Sequence, residues 1–343
     1  MMRLPLSWLL AFTTAALALL LLGSLATGPM TLTLGESLRA LFAGQESGIE
    51  SHKLLIVQEI RLPRTLLCIA VGGILGLCGA VMQGLFRNPL ADPGIIGVSG
   101  GAALGAALAI VLLAPLGQQL QATIGVGLLP LLAFLGGALT TTLVYLLGTR
   151  EGGTSVTVML LAGVAITALS GAVIGLLTYL ADDQMLRNLS LWQMGTLAAG
   201  KPADVALALL TLTALVWLFM RDANPLNALL LGEGEARHLG VNVQSLKRRL
   251  ILLTAAGVGV AVAVSGMIGF VGLVVPHLVR LLAGPNHVRL LPLSALLGAA
   301  LLLAADMLAR TLLAPAELPV GIITALLGAP FFIWLLVKGR RTL

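Results

Sequence analysis

Few segments of this 343-residue chain hold residue types at spacings that could do chemistry. Gly195-Thr196-Leu197-Ala198-Ala199-Gly200-Lys201 fits the G-x-x-x-x-G-K phosphate loop, but Pro202 stands where that loop needs a Ser or Thr hydroxyl for Mg²⁺. No strand pattern precedes it, so the chain itself is not expected to bind ATP. Gly97-Val98-Ser99-Gly100-Gly101 fits G-x-S-x-G. That serine is a nucleophile only at a strand-to-helix turn with His and acid partners; here it opens an apolar helix, where Gly and Ser pack. Asp182-Asp183 is a lone acidic pair, explained by a solvated turn. His52, His238, His277 and His287 form no pair at metal-ligand spacing. Cys68 and Cys78 share one apolar run, about 15 Å apart along a helix and beyond disulfide reach. No catalytic residue, metal site or chain-bound cofactor is expected.

The elements that must position such residues follow from composition. Hydrophobic residues make up 58% of the chain and charged residues 10%, with mean hydropathy +1.05. A soluble domain is about 25% charged, and disorder needs low hydrophobicity with high charge. Both classes are excluded, and the long continuous runs are unlike the alternating segments of a β-barrel. The chain is an all-α polytopic membrane protein whose solvent is the lipid bilayer. Its net charge of +6 comes with no basic stripe interleaved with aromatics, so nucleic acid is not an expected partner. The 41 glycines predict helices packed through small residues.

About ten apolar spans are expected, over 5–27, 64–86, 95–113, 128–147, 155–180, 203–220, 250–265, 267–282, 290–313 and 320–337. The first resembles a signal peptide but exceeds the usual 7–15-residue apolar core, so it is taken as a retained helix. Gly266 between the seventh and eighth spans predicts a tight hairpin. Thirteen of the 20 Lys and Arg fall on the side holding both termini, which makes that side, and both termini, cytoplasmic. The chain divides no further: 1–343 is one transmembrane domain, with outer connections at 28–63 and 182–202 and the largest inner connection at 221–249. Within these, 35–42 predicts an amphipathic surface helix, and the Trp192 region an interfacial piece too short to span.

Three features of the connections suggest function. Leu231-Gly232-Glu233-Gly234-Glu235-Ala236-Arg237-His238-Leu239-Gly240-Val241 predicts a short charged helix over 233–239, either a solvated loop or a docking helix for a cytoplasmic partner. Outside, Arg61 and Arg64 open the second span, and Arg310 ends the ninth one turn after Asp306. That spacing allows an Asp306–Arg310 ion pair. Beyond interfacial snorkelling, the arginines could form a basic platform for an acidic partner. Arg87-Asn88-Pro89-Leu90-Ala91-Asp92-Pro93-Gly94 is a compact inner turn in which Asp92 can cap the next helix. The spans are nearly bare of charge, whereas ion-coupled carriers place ionisable groups near the midplane. An ion-coupled secondary transporter is therefore the weaker reading, and a membrane-embedded enzyme lacks its acids or metal.

Taken in order, these pieces form a recognisable set. They are Arg61-Leu62-Pro63-Arg64, Met82–Pro93, Gly97–Ala102, Leu161-Ala162-Gly163-Val164-Ala165, Trp192-Gln193-Met194-Gly195, Gly269–Arg280 and Asp306–Arg310. Over nearly its whole length the chain resembles the permease subunits of ABC importers for haem, ferric siderophores and cobalamin. The resemblance implies the type II ABC importer permease fold, a homodimer with the pathway along its interface, and a bacterial inner-membrane location. It also implies two cytoplasmic ATPase subunits, which use ATP and Mg²⁺ and dock on Gly232–Gly240, and a periplasmic binding protein whose acidic knobs meet Arg61, Arg64 and Arg310. Asn88, Leu90, Thr154 and Ser155 match cytoplasmic gates. The Leu85–Pro93 wording is most similar to haem importers, so haem is the expected cargo, with ferric siderophore or cobalamin as alternatives.

Overall fold

A chain in hydrocarbon must satisfy its own backbone N–H and C=O groups, which leaves helices as the outcome for long apolar runs. In the computed structural model, which describes residues 5–30, 32–42, 50–114, 127–150, 153–198 and 200–339, the ten expected spans are all helices. In chain order the helices are α1 (Leu6–Ala26), α2 (Leu34–Phe42), α3 (Ser51–Leu85), α4 (Val98–Val111), α5 (Leu128–Gly148), α6 (Val156–Leu180) and α7 (Asp183–Gln193). They continue with α8 (Pro202–Arg221), α9 (Ala223–Leu230), α10 (Glu233–His238), α11 (Val243–Ser265), α12 (Val271–Ala283), α13 (His287–Thr311) and α14 (Val320–Gly339). Between α5 and α6 a two-stranded hairpin pairs β1 (Thr149–Arg150) with β2 (Gly153–Thr154), antiparallel. Seven helices, α1, α3, α5, α6, α8, α11 and α13, are long and apolar enough to cross a membrane; α4, α12 and α14 are apolar over shorter stretches.

The core is built around α3. Of its apolar window 89% is buried, against 17% for α6, so α3 is the axis and α6 the rim. Helices α8, α11, α12 and α13 pack directly on α3, while α4, α5 and α6 form a second group joined to the first through α11. Small residues set the approach. A Cβ on Gly72 would meet the Gly298 carbonyl and one on Gly76 the Ser294 carbonyl, which holds α3 backbone-to-backbone against α13. Gly79 faces the Gly272 carbonyl of α12 in the same way, and Gly101 and Gly136 face each other's carbonyls across α4 and α5. Such crossings gain dispersion contacts that larger side chains would prevent.

Several boundaries differ from the sequence expectation. The second span is continuous with a helix that begins at Ser51, through a π turn at Ile56–Arg61. Most of 221–249 is ordered helix, with α11 starting at Val243 rather than near 250. Lys247, Arg248 and Arg249 look like loop charges by composition, yet they lie along the first turns of a membrane helix. The expected hairpin at Gly266 does not form: α11 and α12 both lie on α3, and the segment between them closes with Phe270 in a left-handed conformation, φ 67°.

Helix α3 sets the distance between the two ends of the bundle. From Arg64 to Gly84 it rises about 30 Å at 1.5 Å per residue, close to a bilayer's hydrocarbon thickness. The C-terminal end of α1 and the N-terminal end of α14 both lie at the Arg64 end. There the Leu318 N–H, just before α14, donates to the Ala309 carbonyl at 3.0 Å. Gly79→Val should cost roughly 1–3 kcal/mol of overpacking, seen as a lower thermal unfolding midpoint in detergent. Gly35→Ala, where a Cβ meets nothing within 4 Å, should leave that midpoint unchanged.

Candidate functional site

At the Arg64 end, the last carbonyls of α1 lack partners within their own helix. Arg61 supplies them: its Nη1 donates to the Leu25 and Ala26 carbonyls at 2.7 and 2.8 Å, and its Nη2 to the Met30 carbonyl. Arg64 grips Asp306 through Nε and Nη2, at 3.0 and 2.9 Å from Oδ1, and its Nη1 donates to Glu317 at 2.7 Å. Arg310 completes the group, with Nε 3.0 Å from Asp306 Oδ2, Nη2 donating to Ser24 Oγ at 2.8 Å and Nη1 to the Thr27 carbonyl at 3.2 Å. The expected Asp306–Arg310 ion pair is therefore present.

The three arginines do come together, but not as an exposed platform. Arg61, Arg64 and Arg310 are 3%, 5% and 2% exposed, and Asp306 is fully buried. Most of their donors are turned inward because α1's carbonyls and the Asp306 carboxylate would otherwise be buried without partners. Only Glu317, about a third exposed, carries the cluster toward the surface. Nearby, the Thr33 N–H, the Lys53 ammonium and the Thr33 hydroxyl hold the Glu36 carboxyl down at about 2, tying α2 to the start of α3.

At the opposite end, three of the sequence motifs converge. Asn88 Oδ1 accepts from the Leu90 N–H at 2.9 Å, after Arg87 has turned the chain with φ 48°. Asp92 then caps the short turn Pro93–Ile96 by accepting from the Gly94 N–H at 2.7 Å. Asp92, Ser99 and Gly100 face Gly163, Val164 and Thr167 of α6 across an open depression of about 540 Å³. Its walls are small residues and hydroxyls.

Thr154 and Ser155 lie in the hairpin that joins α5 to α6. Thr154 is buried at the end of β2, whereas Ser155 is exposed and caps α6, its hydroxyl accepting from the Val158 N–H at 3.4 Å. Among the described residues no hydrogen bond joins Asn88 or Leu90 to Thr154 or Ser155, so within one chain the two pairs belong to separate elements.

The expected docking segment forms α10. Ala236 is fully buried and roots it, while Glu235, Arg237, His238 and Leu239 face outward between the positive-φ glycines Gly232 and Gly240. Glu233 points inward, its Oε1 accepting from Lys247 Nζ at 2.6 Å. Lys247 is 2% exposed and also donates to the Thr154 carbonyl at 3.0 Å. One turn earlier, Gln244 Oε1 accepts from the Thr154 N–H at 3.0 Å.

Sequence reasoning missed Gln244 and Lys247, along with the partners that hold the adjoining α9. Asp222 is buried against Arg249, whose Nε donates to it at 2.8 Å. Asn227 Oδ1 accepts from the His287 backbone N–H at 2.8 Å. The available signal was spacing: Gln244 and Lys247 are three residues apart and share a helix face once α11 is started at Val243.

The family model described as the FecCD transport family matches residues 16–338. The hemin transport system permease protein HmuU of Yersinia pestis is 47% identical over 97% of this chain and 96% of its own length. The vitamin B12 import system permease protein BtuC of Shigella boydii is 41% identical over the same shares. A solved inward-facing conformation of a metal-chelate type ABC transporter superposes with a TM-score of 0.82, at 34% identity, over 97% of this chain and 99% of that one. With that family model matched over 16–338 and relatives above 40% identical over nearly the full length of both chains, the chain belongs to the FecCD transport family.

Proposed function

We propose that this chain is the membrane-spanning permease of an ATP-driven importer in a bacterial inner membrane, crossing it ten times with both termini in the cytoplasm. It works as a homodimer with two cytoplasmic ATPase subunits and a periplasmic binding protein, and its cargo is haem. The observation that carries this reading is the 47% identity, over nearly the full length of both chains, to a hemin permease; the cobalamin permeases stand at 40–44%. A ferric siderophore or cobalamin is the alternative cargo.

The physical features agree with that role. Helix α10 is rooted by one alanine and one ion pair and turns four side chains outward, as a docking element for a cytoplasmic partner should. The rim helix α6 exposes Val158, Leu161, Val164, Leu169 and Leu176, an apolar face suited to a second copy. Small residues around Ser99 and Thr167 would offer a bulky chelate weak contacts, and weak contacts favour passage over retention. Closure of the ATPase pair would displace α10 and open the gate elements by a rigid shift of packed parts.

The docking role of Arg61, Arg64 and Arg310 takes a modified form. Glu317 holds the outward donor of Arg64, so an acidic knob on the binding protein would compete with Glu317 for it, with Arg61 and Arg310 holding the platform rigid beneath.

Two measurements test this reading. In proteoliposomes holding the assembled complex, haem-loaded binding protein should stimulate ATP hydrolysis. Stimulation by a cobalamin-loaded protein alone would transfer the cargo assignment, and uptake driven by an ion gradient without any ATPase would contradict the importer class. At the outer end, Asp306→Ala leaves two buried guanidinium groups without their anion and should cost about 3–5 kcal/mol in thermal unfolding. Glu317→Gln removes only a partner about a third exposed, worth under about 1 kcal/mol, and should tighten binding-protein affinity; weaker binding would refute the competition.

A further inference from the structure

We propose that Lys247 is the positioning residue that carries motion of α10 to the gate hairpin, an inference that rests on α10 being the ATPase contact. The ammonium of Lys247 lies in a 2% exposed position between two elements distant in sequence. One is Glu233 at the start of α10, at 2.6 Å, and the other is the Thr154 carbonyl at the end of β2, at 3.0 Å. Gln244, three residues earlier on α11, accepts from the N–H of the same Thr154 at 3.0 Å. Both backbone polar groups of Thr154 are thus held by the first turns of α11.

Lys247 is 2% exposed while Glu233 is about a third exposed, so the ammonium is the desolvated partner and parting it from its carboxylate is costly. Displacement of Glu233 therefore draws Lys247 along instead of breaking the contact, and Lys247 takes the Thr154 peptide with it. The next residue, Ser155, caps α6, and its N–H donates to the Gly148 carbonyl at 2.9 Å, closing the hairpin on α5. Movement entering at α10 consequently reaches the ends of both α5 and α6, whose N-terminal half walls the depression at Ser99 and Thr167. A hydrophobic contact could slide here; a charge held at two points cannot.

The other charged contacts near α10 do not provide this path. Arg237 meets Glu233 at 3.8 Å on the exposed side of the same helix, and Asp222–Arg249 joins the segment before α9 to α11 without reaching the hairpin. Lys247 joins all three elements: docking helix, membrane helix and hairpin.

The test uses the complete complex in proteoliposomes and reads cargo delivered per ATP hydrolysed. In parallel, ATP-dependent labelling of Ser155→Cys by a water-soluble maleimide reports on the gate. Lys247→Met should lower the delivered-to-hydrolysed ratio by about tenfold or more, the scale of one charged hydrogen bond, and abolish the ATP response of the label. Lys247→Arg should retain both. Glu233→Lys combined with Lys247→Glu restores opposite charges but leaves the Thr154 carbonyl without a donor, so complex assembly should recover and the ratio should not. An unchanged ratio in Lys247→Met would overturn the proposal, as would recovery of the ratio in the exchanged pair. If Lys247→Met does not assemble, Glu233→Gln takes its place, and a wild-type ratio there is equally fatal. Absence of ATP-driven uptake in the wild-type complex would instead sink the importer reading.

Discussion

Asp306 sits fully buried between two guanidinium groups, and the Arg64 end of the molecule is arranged around that one carboxylate. Charge inside a low-dielectric body is tolerable only where a counter-charge or a set of hydrogen-bond acceptors meets it. The spans hold few other ionisable groups, and the buried ion pairs among them mark places where helices cannot slip. At one end Asp306 joins α3 to α13, and Arg310 extends the group to α1 through Ser24 and Thr27. At the other end the same constraint joins α10, α11 and the hairpin through Lys247. Between these fixed points the contacts are mostly apolar and glycine-lined, with single polar contacts such as Gln83 Nε2 donating to the Leu273 carbonyl at 3.1 Å.

That division suits a molecule that must move without unfolding. Where α3 meets α12 and α13, carbonyls face glycines so closely that no side chain fits between, and this part behaves as a block. Helix α6 is different: most of its apolar window is uncovered within one chain, and at Gly171 and Gly175 a Cβ would touch nothing within 4 Å. A rigid block beside a lightly held rim helix would suit the proposed pathway between two copies of the chain.

Much of this was legible in the sequence because a membrane helix announces itself by uninterrupted hydrophobicity. The ten spans, the surface helix over 34–42 and the short helix beginning at Glu233 all follow from local pattern. What failed was whatever depends on long-range partners. Lys247, Arg248 and Arg249 look like a solvated basic run, yet Lys247 is buried because Glu233 and Thr154 receive it. Arg61, Arg64 and Arg310 meet at one end of the bundle; the Asp306–Arg310 pair follows from local spacing, but the burial of Arg61 and Arg64 depends on α1's carbonyls and on Asp306 of a distant helix, which no local rule brings to them. Glu317 carries no sequence signal, because a lone carboxylate between helices resembles any solvated charge.

The central claim is that nucleotide events at α10 reposition the gate elements of two facing chains. The most direct measurement is the distance between spin labels at Ser155 in the two protomers of the assembled complex, with and without ATP. The account predicts two distinct distance distributions whose populations exchange on adding ATP. A single distribution, unmoved by nucleotide while hydrolysis proceeds, would contradict it.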